Sequence, residues 1–283
     1  MTPLVVAAVL VAAVTHAGWN AIAHGIRDQL LAFTLVGGGG AVCGLAMLAF
    51  VAPPADAAWP YLLGSAVLHI VYQALLMRSF TLGDFGQMYP IARGTAPLAV
   101  TALAAVFAGE FAGGRQLAGV AVASAGLVGL ALWGIRGSGA RPDWAAVGAA
   151  AATGLAIAAY TVVDGLGVRA SGSPLGYIAW LMILEGLVIP AWAVATRRGR
   201  FLAGIRPFAV RGLLGGLLSV FAYGLVLWAQ TRAALAPVAA LRESSILAGA
   251  AIGALFMKER FGGPRIAAAG LMVVGIGLML HSG

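Results

Sequence analysis

Charge is what this chain has least of. Asp, Glu, Lys and Arg together make up 9% of its 283 residues, and lysine occurs once, at Lys258. Cysteine also occurs once, at Cys43, which excludes an internal disulfide and any cysteine-based metal centre. Four histidines, His16, His24, His69 and His281, are scattered without a two-histidine helical ligand pair, and no serine stands next to a plausible base. An enzyme is therefore not expected, nor a metal or cofactor. The glycine run Gly37 to Gly40 lies inside an apolar segment and lacks the Lys and Ser or Thr of a phosphate loop, so ATP-driven transport by this chain alone is excluded.

What is present is apolar surface. With 61% apolar residues and a mean hydropathy of +0.98, the chain has too little polar surface to coat a soluble globule. Spanning the hydrocarbon takes about 20 apolar residues per helix, because lipid-exposed irregular backbone is forbidden there. Ten blocks fit, at 3 to 24, 31 to 51, 60 to 81, 86 to 108, 115 to 134, 143 to 165, 174 to 195, 208 to 230, 235 to 257 and 263 to 281. Turn formers and most charges fall between them, with no room for a soluble domain. The expected fold is an all-α membrane protein of ten transmembrane helices. The first block lacks a basic leader and is expected to be a retained span rather than a cleaved signal.

The net charge of +8 does not point to nucleic acid, since the basic residues sit in short loops without an aromatic-basic face. They orient the chain instead. Loops after odd-numbered spans, with their edges, hold twelve Lys and Arg, against Arg115, Arg169 and Arg232 on the other side, which places the odd-to-even loops in the cytoplasm and both termini outside. Sixteen arginines against one lysine, amid abundant Ala and Gly, suggest a GC-rich bacterial gene. The expected location is the bacterial inner membrane, because helical spans do not suit an outer-membrane barrel.

The chain also repeats itself. Arg93 and Glu110 are 17 residues apart, and so are Arg242 and Glu259, at a shift of 149. Leu62, Leu63, Gly64 and Tyr72 reappear as Leu213, Leu214, Gly215 and Tyr223. A repeat of five spans enters the membrane from the opposite face the second time. Residues 1–137 and 138–283 are thus expected to be two inverted five-helix units, an arrangement that builds secondary transporters with a site near the midplane.

The segment HIVYQALLMRSFTLGDFGQMYPIARGTAPL (His69 to Leu98), THAGWNA (Thr15 to Ala21) and the GE and KER endings at Glu110 and Glu259 resemble the drug/metabolite transporter superfamily, in its ten-helix EamA-type branch. The resemblance covers the whole chain. It implies a basket of ten helices in an inverted five-plus-five repeat, moving small metabolites, with bacterial aromatic amino-acid exporters among the similar members. Many members of that branch are drawn with cytoplasmic termini, whereas the arginine count favours the reverse.

Charges at bilayer depth face the bundle interior or a cavity. Arg93 is suited by its planar fork either to neighbouring carbonyls or to a substrate carboxylate, and Tyr89 lies one turn earlier on the same face. Pro90 and Pro97 suggest a broken helix there. Arg242 and Glu243 are adjacent, hence about 100° apart on a helix, so Glu243 is expected to pair with an arginine across the interface or to serve as a protonatable site. Ser244 and Ser245 follow. His69, Tyr72 and Gln73 form one polar-aromatic face, as do His16, Trp19 and Asn20, while Tyr160 and Asp164 match the latter in the sixth span. Asp164 is expected to be solvated near a span end, and Glu110 and Glu259 to be boundary residues.

The expected substrate-binding set is His69, Tyr72, Tyr89, Arg93, Trp180, Tyr223, Glu243 and Ser244. Arg93 would hold a carboxylate and the aromatics an apolar body; Glu185 and Glu243 are the candidates for proton coupling. The expected function is a secondary carrier exporting a small amphipathic metabolite, above all a hydrophobic or aromatic amino acid. The expected partners are that small molecule and the lipid bilayer, not nucleic acid, and a monomer is expected to suffice. A carrier of another metabolite or drug-like compound, or a non-transporting receptor subunit, remains an open alternative.

Overall fold

A computed structural model describes residues 1–26, 28–83, 85–137, 143–197, 204–256 and 263–281. Those residues form helices α1 (Pro3–His24), α2 (Gln29–Met47), α3 (Trp59–Leu82), α4 (Phe85–Phe107), α5 (Gly114–Gly137), α6 (Trp144–Ala170), α7 (Pro174–Gly186), α8 (Val188–Arg197), α9 (Ala209–Gln230), α10 (Leu235–Arg242), α11 (Ser245–Phe256) and α12 (Gly263–Leu280). The α7–α8 and α10–α11 pairs each make one interrupted span, so ten apolar blocks become ten spans. Eight of these stretches are long and apolar enough to cross a bilayer, and Ile266–Leu280 is a shorter apolar helix. The chain is an all-α membrane protein.

Local sequence sets the helix starts. Thr2, Asp28, Asp143 and Ser173 each turn a side-chain oxygen onto a first-turn amide, and Pro3 and Pro174 occupy first-turn positions where no amide is needed. Gly109 and Gly172, at φ of 66° and 64°, supply the left-handed residues that turn the chain after α4 and α6.

The expected break in the fourth span is absent: α4 runs unbroken through Pro90 and Pro97. The Thr95 and Thr101 hydroxyls bond the carbonyls of Ile91 and Pro97, four residues back along the same helix. The break falls instead in the ninth span, at Glu243–Ser244. There the amides of Glu243, Ser244, Ile246 and Leu247 all bond three residues back rather than four. That tightened turn sets the directions of Arg242, Glu243 and Ser245.

Long apolar side chains such as Leu4, Val14, Val42, Val67, Leu155 and Val273 are more than half exposed, whereas the polar groups lie inside. Such an inside-out distribution suits a lipid surround. Between helices in lipid the hydrophobic effect supplies little, so close packing carries the fold. On α2, a methyl placed at Gly44 would lie 2.6 Å from the Ala179 carbonyl of α7, and Gly39 meets the backbone of α9 at Gly212. The first span packs on the eighth and ninth, the sixth on the third and fourth, the second on the seventh, and the fifth on the tenth. Exchanging each span for the one five later maps these pairings onto themselves.

One end of the bundle is clasped. Glu110, in the turn after α4, receives Arg169 Nη1 at 2.6 Å on one oxygen and the Leu235 amide at 2.6 Å on the other. Arg169 also donates to the Gln230 and Ala233 carbonyls, tying together α6, the α9–α10 turn and the α4–α5 turn. Glu110 is thus a boundary residue with a specific tether; Glu259 lies outside the described residues. At the other end Asp28 pairs with Arg197, both well exposed.

Candidate substrate site

A cavity of about 110 Å³ lies among the first three spans and the sixth to ninth. α1 brings His16 and Trp19, α3 brings His69, Tyr72 and Gln73, α6 brings Tyr160, α7 brings Met182 and Glu185, α9 brings Ser219 and Tyr223, and α10 brings Arg242. Along α2 the wall is Phe33, Val36, Gly37 and Gly40, and Gly37 lets α2 approach the α7 backbone at Gly186. At this volume the cavity is narrower than the several hundred cubic ångströms of a typical ligand pocket, so a metabolite-sized solute requires the helices to part.

Aromatic stacking holds the wall. His69 lies over Tyr160, ring centroids 4.0 Å apart, with Tyr72 edge-on to Tyr160 at 5.5 Å and Tyr223 edge-on to His69 at 5.8 Å. Tyr223 donates its hydroxyl to Asp164, which also accepts from Tyr177 at 2.9 Å. Asp164 is not solvated as expected: α6 continues to Ala170, past the anticipated end, and the carboxylate is fully buried. It anchors two aromatic side chains from α7 and α9.

The two interior arginines differ. Arg93 Nε lies 2.9 Å from Glu243 Oε2, a charge contact whose N–H is not aligned as a hydrogen bond, and Nη2 donates to Ser245 Oγ at 3.0 Å. Its guanidinium also sits 5.7 Å above the Tyr89 ring. The pairing expected of Glu243 is present, and it turns Arg93 away from the cavity wall. Arg242 donates to the Tyr160 hydroxyl at 3.2 Å and lies 5.4 Å above the Tyr223 ring, with no carboxylate partner among the described residues. It is an arginine on the cavity wall with donors to spare.

Of the eight residues expected to bind substrate, His69, Tyr72 and Tyr223 line the cavity. Tyr89, Arg93 and Glu243 form the ion-pair cluster behind it, and Ser244 lies in the ninth-span turn with its hydroxyl buried and unbonded. Trp180 packs edge-on against Trp59 at 5.0 Å, in the cluster around Tyr177 and Leu181. The wall also includes Arg242, Tyr160, Glu185, His16 and Trp19, all visible in the sequence as polar or aromatic residues within spans.

Residues 144–281 match the model of the EamA-like transporter family. No curated protein matches the chain. A solved structure described as "Crystal structure of protein" superposes with a TM-score of 0.74 at 18% identity, covering 97% of this chain and 94% of that one. At that identity the likeness speaks for the fold.

Proposed function

We propose, from the premise that the chain belongs to the EamA-like transporter family of the drug/metabolite transporter superfamily, that it is a secondary carrier of small carboxylate-bearing amphipathic metabolites, hydrophobic or aromatic amino acids foremost. Family membership makes it a membrane transporter of small solutes. The observation that supports the finer reading is Arg242: a guanidinium on the wall of an aromatic cavity, held by a phenol and a ring face but by no carboxylate among the described residues. A planar fork of that kind suits a carboxylate, and Tyr72, Tyr160, Tyr223 and Trp19 suit an apolar body.

Two inverted units, 1–137 and 138–283, rocking about the cavity would give alternating access. The pairing of spans across the midpoint of the chain supports this division. With the termini outside a bacterial inner membrane, as the arginine distribution favours, the Glu110–Arg169 clasp lies at the outer face, and export is the direction proposed. Counterflow into proteoliposomes tests the substrate class. Labelled phenylalanine, tryptophan or leucine should enter faster when the vesicles are preloaded with the same amino acid; no acceleration for any of them removes the amino-acid reading.

A further inference from the structure

Among the described residues, the interior holds two guanidinium groups, Arg93 and Arg242, and three carboxyl groups: Asp164 and Glu243, both buried, and Glu185, whose side chain is 12% exposed beside the cavity. Arg93 and Glu243 cancel at 2.9 Å. Arg242 offsets one of the other two, which leaves one negative charge in a region where an uncompensated ion is costly.

The two remaining carboxyls are not equivalent. Asp164 accepts a tyrosine hydroxyl on each oxygen, a hydrogen-bond set that satisfies an acceptor-only carboxylate. Glu185 Oε2 is buried and accepts no hydrogen bond. Its nearby polar neighbour, His69 Nδ1 at 3.5 Å, is already engaged by Ser65 through Oγ at 3.1 Å and the carbonyl at 3.0 Å. A buried carboxylate oxygen without a donor is the costly case for the ionised form, and protonation removes the charge.

Glu185 also faces the cavity, so water on the solute pathway reaches it. The titratable and charged groups around that space are His16 from α1, His69 and Tyr72 from α3, Tyr160 from α6, Tyr223 from α9 and Arg242 from α10; α2 adds only Phe33, Val36, Gly37 and Gly40, and Asp164 stands behind Tyr223.

Resting on the carrier reading, we propose that Glu185 is the site of an exchangeable proton that couples solute movement to a proton gradient. An O–H bond forms at Glu185 as the carboxylate takes a proton from cavity water. It breaks when the cavity opens to the other side, returning the proton to water there.

Infrared difference spectra of the purified protein in nanodiscs, between acid and alkaline buffer, read this site without any substrate. Of the protonated-carboxyl absorption, one component should be present in the wild type, shifted in E185D, lost in E185Q and retained in D164N. A band unchanged in E185Q overturns the assignment, and E185D covers the case in which E185Q fails to fold. In proteoliposomes with phenylalanine as probe, the ratio of accumulation driven by an imposed pH gradient to counterflow should fall in E185Q to its no-gradient value. Wild-type counterflow unaccompanied by proton movement would overturn the coupling and leave the carrier standing, whereas absent counterflow would count against the carrier and leave the infrared result to decide Glu185.

Discussion

Arg93 and Arg242 stand at corresponding places in the two halves of the chain, 149 residues apart, yet their surroundings are opposite. Arg93 is 2% exposed and matched by Glu243 and Ser245; Arg242 lies on the cavity wall against Tyr160 and Tyr223. The difference comes from the next residue. After Arg242 comes Glu243, but after Arg93 comes Gly94, where a Cβ would fall 2.9 Å from Leu127 Cβ and 3.2 Å from the Ser124 carbonyl of α5. The first half has no room for a carboxylate there, so the single Glu243 reaches across to Arg93. A duplicated sequence thereby supplies one arginine held in an ion pair and one on the cavity wall, the group proposed to meet substrate.

Breaking the paired member should have the largest effect. E243Q leaves Arg93 buried without a counter-charge, which should cost about 3–5 kcal/mol. Thermal unfolding in detergent should show a large fall in midpoint, most of it recovered in the R93M/E243L double variant; an E243Q protein as stable as the wild type would show the ion pair to be dispensable. Filling the missing place comes next. G94A forces α4 from α5 and should lose about 1–3 kcal/mol by overpacking, read in the same unfolding experiment, and an unchanged midpoint would remove the steric explanation of the asymmetry. The smallest effect is expected at the free member. Y160F deletes one hydroxyl acceptor of Arg242, and a net hydrogen bond of about 0.5–1.5 kcal/mol corresponds to a rise of about 2- to 10-fold in KM for exchange. A fall in maximal rate with KM unchanged would show that Tyr160 does not orient the guanidinium for binding.

Much of the fold was legible because lipid constrains sequence so strongly. Each apolar block had to be a helix, and the observed spans fall within a few residues of the blocks. The interruptions were less legible. Proline in α4 advertised a break, yet the helix runs on through Pro90 and Pro97, whereas the break at Glu243–Ser244 carries no proline and follows from where the charged side chains must point. Of the site, the aromatic faces of α1 and α3 were readable from helical spacing. Which arginine meets the cavity was not, because periodicity gives a face and a depth but not the partner across the interface. Asp164 departs from the sequence expectation for a related reason: six further residues of α6 carry the helix past it, and composition alone does not show where the helix stops.

The division of labour between the two arginines is tested most directly by phenylalanine counterflow in proteoliposomes carrying R242M beside those carrying R93M/E243L. The account predicts that exchange is lost in the first, with the protein still folded, and persists in the second. Exchange that survives in R242M and disappears in R93M/E243L would contradict it.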